Sequence, residues 1–232
     1  PAAWNASAIR IQEHAGHVEV HLRDNDSGAV HRLRARHVIS AMPLHIAARL
    51  IAEPARYGLD GSGLYAPWLI SNFALHQFPR EPDEQPLAWD NVLYGSPALG
   101  YIAGSNQSIR VAKPPRVLFT AYRALAHDSP PAVRQWLLTA PDDELLACAA
   151  ADLHAVYGRH FWRLVDSVDI TVRAHAMRIP LPGYLDDSQL RALRAHRSRL
   201  HFAHSDLSGY SVFEEAAYWG ITAAQQVLAA RG

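Results

Sequence analysis

The chain has 232 residues, of which 49% are hydrophobic and 19% charged, which is typical of one large or two small globular domains with a real core. Its 22 basic and 22 acidic residues balance, so nucleic acid and anionic membranes are not expected partners, and no apolar run is long enough to span a membrane. The single cysteine, Cys148, excludes an internal disulfide and suggests a reducing, cytoplasmic location.

Alternating apolar and polar residues open the chain. They cover residues 8–11 and 17–22 around a short turn at 15–16, which predicts a β-hairpin. A second turn at residues 24–28 leads into another alternating run at 29–35, so the segment predicts a small antiparallel meander.

A different kind of strand follows the meander. Residues 37–43 are a short apolar run that Pro43 terminates, which indicates a strand buried on both faces. Residues 44–52 then predict a short helix.

Residues 61–66 match the letters of the G-x-G-x-x-A dinucleotide-binding motif. That motif needs a strand before it and a helix after it. Residues 56–60 are typical of a loop and Pro67 prevents the helix, so we interpret the match as accidental.

The central part of the chain predicts a mixed sheet covered by helices, an α+β arrangement. Strands are predicted at residues 68–78, 91–94, 100–103, 116–122 and 167–177. Two helices are predicted before the last of these strands, the first capped by Ser129 and the second by Thr139, with Gly158 at its end.

The last thirty residues predict a strand, a tight turn and a long helix. Residues 200–203 are a short apolar run, and residues 205–209 are turn formers. Residues 209–230 are compatible with one helix, with a capping signature at Ser211 and Glu214. Such a turn points unpaired backbone N–H groups outward at the positive end of the helix dipole, which suits a phosphate or a heterocyclic oxygen that gains negative charge.

Residues 202–220, which begin FAHSDLSGYS, resemble the C-terminal signature of FAD-dependent amine-oxidase-like oxidoreductases, a family that includes phytoene-desaturase relatives. The meander, the buried strand and the Ser-Ala-Met-Pro turn at residues 40–43 resemble the same family. Its members usually have Gly and then Asp or Glu after Phe-Ala, whereas this chain has His204 and Ser205. This departure leaves open whether the usual carboxylate contact to the cofactor is made, with Ser205 and Asp206 as the candidate substitutes.

The resemblance also implies which residues lie near FAD. The turn and the start of the last helix would sit over the pyrimidine edge of the flavin, with Gly209, Tyr210 and Ser211. Ala41 would pass near the cofactor, and a backbone group at about Ala8 would hold the adenine. His175 lies where relatives often carry an aromatic residue before a proline, so it is a candidate for the substrate face; the alternative is a strand histidine bonded to the backbone.

Other chemistries find less support. His201, His204 and Asp206 form H-x-x-H-x-D, but three-residue spacing along a strand places the imidazoles on opposite faces, so no zinc site is expected. A serine hydrolase is not expected, because no G-x-S-x-G motif occurs. Many amine oxidases hold a water near the flavin with a lysine, but Lys113 lies beside two prolines and is expected at the surface.

The resemblance covers only part of a longer protein, since this chain lacks a glycine-rich βα turn for the FAD pyrophosphate. It implies an incomplete FAD-binding domain made of the meander and strand at residues 1–52 and a C-terminal return at residues 179–232, around an α+β substrate-binding domain at residues 53–178. A missing N-terminal FAD-binding segment would be the partner, and a small molecule would be oxidised at a C–N or C–C bond. The isolated chain is expected to be inactive and to hold FAD weakly or not at all.

Two alternatives stay open at this stage. A non-catalytic, small-molecule-binding α+β domain that has lost the cofactor is favoured by the His204-Ser205 departure. An interaction domain that dimerises through the terminal helix is the other. A strand followed by G-x-G-x-x-G upstream of the chain would favour the enzyme.

Overall fold

The structure is a computed structural model that describes residues 5–81, 87–107 and 114–230, except for the side chains of residues 106 and 107. The expected surface position of Lys113 falls outside the described residues. The chain divides into two compact units, the first made of Pro1–Leu64 and Arg178–Gly232 and the second of Tyr65–Met177. Both contain strands and helices, so the predicted α+β class is confirmed.

The elements are numbered along the whole chain. The strands are β1 (Ala6–Glu13), β2 (Val18–Asp24), β3 (Val30–Ala35), β4 (Val38–Ser40), β5 (Tyr65–Leu75), β6 (Asp90–Asn91), β7 (Tyr101–Ala103), β8 (Val117–Ala124), β9 (Val165–Arg178) and β10 (Leu200–Phe202). The helices are α1 (Leu44–Leu50), α2 (Pro130–Thr139), α3 (Asp142–Ala149), α4 (Ala151–Tyr157), α5 (Phe161–Leu164), α6 (Ser188–Ala195) and α7 (Phe213–Ala229).

The first unit opens with the predicted antiparallel meander, in the order β1-β2-β3. Ile11 pairs with Val20, and both side chains are buried on the same face of the sheet. Residues next to them along each strand point to the other face. Glu19 and Arg34 form a pair on the opposite, polar face. One face of the meander therefore contributes to the core and the other meets solvent.

Strands β4 and β10 pair in parallel in the same unit, and β10 is buried along its whole length. Each leads through a turn into a helix, β4 into α1 and β10 into α7. Beneath them lies a core to which β10, α1, α6 and the meander contribute buried residues, and Val38 of β4 packs against it. Its buried members include Ile11, Val18, Leu44, Ala47, Tyr57, Leu190, Leu200 and Phe202.

Helix α7 begins at Phe213, four residues later than the sequence predicts. Gly209 has a φ of +77°, outside the helical range, and Val212 is extended. The Ser211 capping signature is wrong, since the N-cap residue is Val212 and no side chain caps it. None of the helices in the described residues has the length and apolar character needed to cross a bilayer.

The second unit is built on a sheet with the strand order β6-β7-β8-β5-β9. Along β5 every second residue is buried, and Phe73 pairs with Phe119 of β8 in the core. Leu153 and Phe161 contribute the helical side of this core. Thr139 does not cap the second predicted helix; it ends α2, and its hydroxyl donates to carbonyls of the preceding turn.

Candidate functional site

Two turns lie together at the carboxyl ends of β4 and β10. Residues 41–43 connect β4 to α1, and residues 203–212 connect β10 to α7. The N–H of Ala203 donates to the carbonyl of Ser40 at 2.9 Å, so the parallel pairing continues to the start of the second turn. The carboxyl ends of parallel strands are where open α/β sheets bind ligands, which makes this edge the candidate site.

Asp206 ties the two turns together. Its side chain is 1% exposed, and Oδ2 accepts a hydrogen bond of 2.9 Å from the backbone N–H of Leu44, the first residue of α1. A carboxylate at this position satisfies an orphan helix N–H and lies at the positive end of the helix dipole. The Asp206 carboxylate is therefore engaged inside the first unit.

His204 lies directly against this carboxylate. Its Nδ1 accepts a hydrogen bond of 3.1 Å from the N–H of Asp206 and lies 3.2 Å from Asp206 Oδ1. A neutral ring with its proton on Nε2 makes the first contact, whereas a protonated ring would donate to the carboxylate. The residue that departs from the family pattern thus forms an imidazole–carboxylate pair at the edge of the site.

Tyr184 and Arg194 stabilise the turn around Gly209 by hydrogen bonds to its backbone carbonyls. The Tyr184 hydroxyl donates to the carbonyl of Asp206, and Arg194 Nε donates to that of Leu207 at 2.6 Å. Burial raises the pKa of Tyr184 to about 12, so the hydroxyl keeps its proton. A Cβ on Gly209 would lie 2.6 Å from Cε1 of the Tyr184 ring, so this position requires glycine for space as well as for its φ.

The start of α7 faces outward without a side-chain cap. Tyr210 and Phe213 are exposed, and Ser211 is half-buried between them. Glu214 and Glu215 lie in the first turn, where their negative charge opposes a bound phosphate. The Glu215 carboxylate also accepts from the Ser208 hydroxyl. A weakly negative heterocycle suits this helix start better than a phosphate does.

An open groove runs beside the turn. It has a volume of about 480 Å³ and is lined by residues 180–186 together with Ser208 and Tyr210. This volume falls within the range of small-molecule sites. The other sides of the turn are buried, with Ser205 and Gly209 facing the interior.

Residues 61–63, the first half of the letter match to a dinucleotide motif at residues 61–66, line a separate cavity. Gly61 has a φ of +73°, and the strand β5 starts at Tyr65 where the motif requires a helix. The interpretation as an accidental match is therefore confirmed. The cavity measures only about 70 Å³, too small for a flavin, and it also contacts His45 and Arg178.

The structure brings together only some of the residues that the sequence predicts to lie near FAD or its substrate. Ala41 is exposed in the first turn, close along the chain to the Leu44 N–H that Asp206 binds. Ala8 lies in the meander beside an irregular step in the β1–β2 register and packs against the core of the first unit. His175 belongs to the second unit, where its exposed ring makes an edge-to-face contact with the Tyr65 ring, with the two ring centroids 6.2 Å apart.

The side chains that support the turn were not among the predicted site residues. Tyr184 lies 22 residues before Asp206 and Arg194 lies 13 residues before Leu207, so neither contact can be inferred from neighbours along the chain. The only local signal was the Pro182-Gly183 turn before Tyr184, which marks a bend but no partner. His201 was predicted to point away from His204. Its Nε2 lies 3.2 Å from Nδ1 of His37, and its Nδ1 lies 3.0 Å from Oε1 of Gln226.

Comparison with solved structures shows the same fold at low sequence identity. The reduced UDP-galactopyranose mutase shares 15% identity, with 97% of this chain and 47% of that chain covered and a TM-score of 0.64. A protein assigned as a protoporphyrinogen oxidase from Exiguobacterium sp. 255-15 shares 14%, with 95% and 47% covered and a TM-score of 0.60. An oxidoreductase from Methanosarcina mazei shares 13%, with 95% and 49% covered and a TM-score of 0.53.

The chain thus spans about half the length of these solved structures. No curated protein matches the sequence. A family model described as flavin-containing amine oxidoreductase matches residues 4–228, nearly the whole chain. The chain therefore belongs to the family of flavin-containing amine oxidoreductases.

Proposed function

We propose that this chain is part of a FAD-dependent oxidoreductase that oxidises a C–N or C–C bond of a small molecule. The observation that carries the proposal is the start of α7, which no side chain caps and which lies at the carboxyl end of the parallel pair β4–β10. Membership of a flavin-containing family supplies the cofactor class. The helix start supplies N–H groups of the kind that bind the electron-rich edge of a flavin.

The residues around the turn fit such a group. The Ser40 hydroxyl is buried at the end of β4 and has no hydrogen-bond partner within the described part of the chain. We propose that Ala41 and the segment Gly209–Ser211 border the flavin, with Tyr210 on the open groove. Ser205 is buried, so it would contact the flavin through its backbone and not through its hydroxyl. Ala8 would hold the adenine through the backbone of β1.

Asp206 would stabilise the turn without contacting the cofactor. Because its carboxylate accepts from Leu44, it holds the two turns at a fixed spacing and leaves His204 to face the site. A bound flavin would supply the acceptor for a hydride from the substrate carbon. This chain would position the substrate, and His175 is the candidate residue for that role. It would also hold the N–H groups of α7 near the part of the flavin on which negative charge develops.

The remaining part of the FAD site would come from an N-terminal segment with the glycine-rich βα turn. Apolar side chains exposed on α7 support a further packed element, since one helix rarely presents so many to water. They are Phe213, Tyr218, Ile221 and Leu228. In this proposal the chain alone holds FAD weakly and is inactive.

The competing function is a small-molecule-binding domain without a cofactor. The engagement of the Asp206 carboxylate favours it, because no free acidic side chain replaces the family's usual contact at that position.

Purification of the natural full-length protein separates the two. The oxidoreductase proposal expects a bound flavin that denaturation releases as FAD. Under anaerobic conditions, small amines or substrates with an oxidisable C–C single bond should reduce this flavin. A full-length protein that carries no flavin and gains none on incubation with FAD would support the binding domain instead.

A further inference from the structure

The hairpin between β1 and β2 carries two histidines that face each other. His14 and His17 flank the two-residue loop, and the N–H of His14 donates to the carbonyl of His17 at 2.8 Å. The backbone pairing fixes the two positions opposite each other. Their rings stack with centroids 4.7 Å apart and an interplanar angle of 20°.

A carboxylate completes the group. Glu19 is the second residue of β2, and His17 directly precedes this strand, two residues before Glu19. One ring nitrogen of each histidine and one oxygen of Glu19 lie within 4.8 Å of one another.

We propose that His14, His17 and Glu19 bind a divalent transition-metal ion, with zinc as the best fit. Two imidazole nitrogens and one carboxylate oxygen are the donor set of many three-ligand zinc sites, and water can fill the open position. The hard ions Mg²⁺ and Ca²⁺ prefer all-oxygen sites and are disfavoured by the imidazoles. None of these three ligands is among the residues proposed to border FAD, so this inference is independent of the proposed function.

Neighbouring cations limit the affinity. Arg34 Nε lies 3.3 Å and Arg32 Nε 3.7 Å from Glu19 Oε2, while His21 Nε2 lies 2.8 Å from Oε1. A metal ion has to share this carboxylate with the two guanidinium groups. Removal of Arg34 should therefore strengthen metal binding, an effect that nonspecific attachment to surface histidines would not produce.

Calorimetric titration of the EDTA-treated chain with zinc chloride tests the proposal. We expect one site per chain, at least about tenfold weaker binding in His14→Ala and Glu19→Gln, and tighter binding in Arg34→Ala. His31→Ala is the matched control, because His31 pairs with Leu22 on the opposite face of the same meander and should leave binding unchanged.

Titration with Co²⁺ followed by its visible spectrum gives a second measurement, since nitrogen and oxygen ligands change the spectrum of the ion. Melting curves without metal identify any variant that fails to fold. The proposal is overturned if the wild-type chain binds neither ion, or if His14→Ala and Glu19→Gln bind zinc as tightly as the wild type.

Discussion

The carboxylate of Asp206 accepts a hydrogen bond from the backbone N–H of Leu44 at 2.9 Å, across 162 residues of sequence. The bond joins the turn after β10 to the first residue of α1. It is the contact that holds the two ends of the proposed flavin site at one edge of the parallel pair.

Replacement of Asp206 by alanine should destabilise the chain by about 1–3 kcal/mol, because it leaves a buried N–H without an acceptor. Asp206→Asn keeps a side-chain oxygen for the Leu44 N–H and should cost clearly less. Urea unfolding of both variants measures the difference. Equal stability of wild type and Asp206→Ala would show that the bond does not hold the two turns together.

Gly209→Ala should also destabilise the turn, for two separable reasons. The φ of +77° costs a non-glycine residue about 1–2 kcal/mol, and the new Cβ would overlap the Tyr184 ring. The Tyr184→Ala background removes the ring and leaves only the backbone cost. Gly209→Ala should therefore be less costly in that background; additive effects of the two substitutions would contradict the close approach.

Glu13 should make the stability of the first unit depend on pH. Burial opposes its ionisation, but hydrogen bonds from the Tyr57 hydroxyl at 2.7 Å and the Arg199 N–H at 2.8 Å outweigh this and hold the pKa below the ordinary value of 4.5. A lowered pKa in the folded state means that the stabilisation is complete above the unfolded-state pKa and is lost as the pH falls through the folded-state value.

The check is the difference in unfolding free energy between the wild type and Glu13→Gln. It should be largest near neutral pH and shrink between about pH 5 and about pH 3. Glu53→Gln, which changes a neighbouring carboxylate without these two bonds, is the control. A difference that stays constant over this pH range would rule out the contribution of Glu13.

Local patterns were sufficient for much of the fold. The meander and β10 follow from alternation and from short apolar runs bounded by turn formers, which depend on neighbours along the chain. The start of α7 could not be predicted in this way, because Gly209 adopts a positive φ in close contact with Tyr184, a residue 25 positions earlier in the chain. The role of Asp206 depends on Leu44, and only the register of the β1–β2 hairpin brings Glu19 near His14.

The central claim is that N–H groups at the start of α7 meet the flavin. Phe213→Pro in the full-length protein tests it most directly: proline at the first helical position removes one N–H yet keeps the helix, and the extended Val212 before it tolerates proline. Phe213→Ala removes the same exposed ring and keeps the N–H. The account predicts a lower flavin reduction potential and weaker FAD binding in Phe213→Pro than in Phe213→Ala. Identical potentials and affinities in the two variants would contradict it.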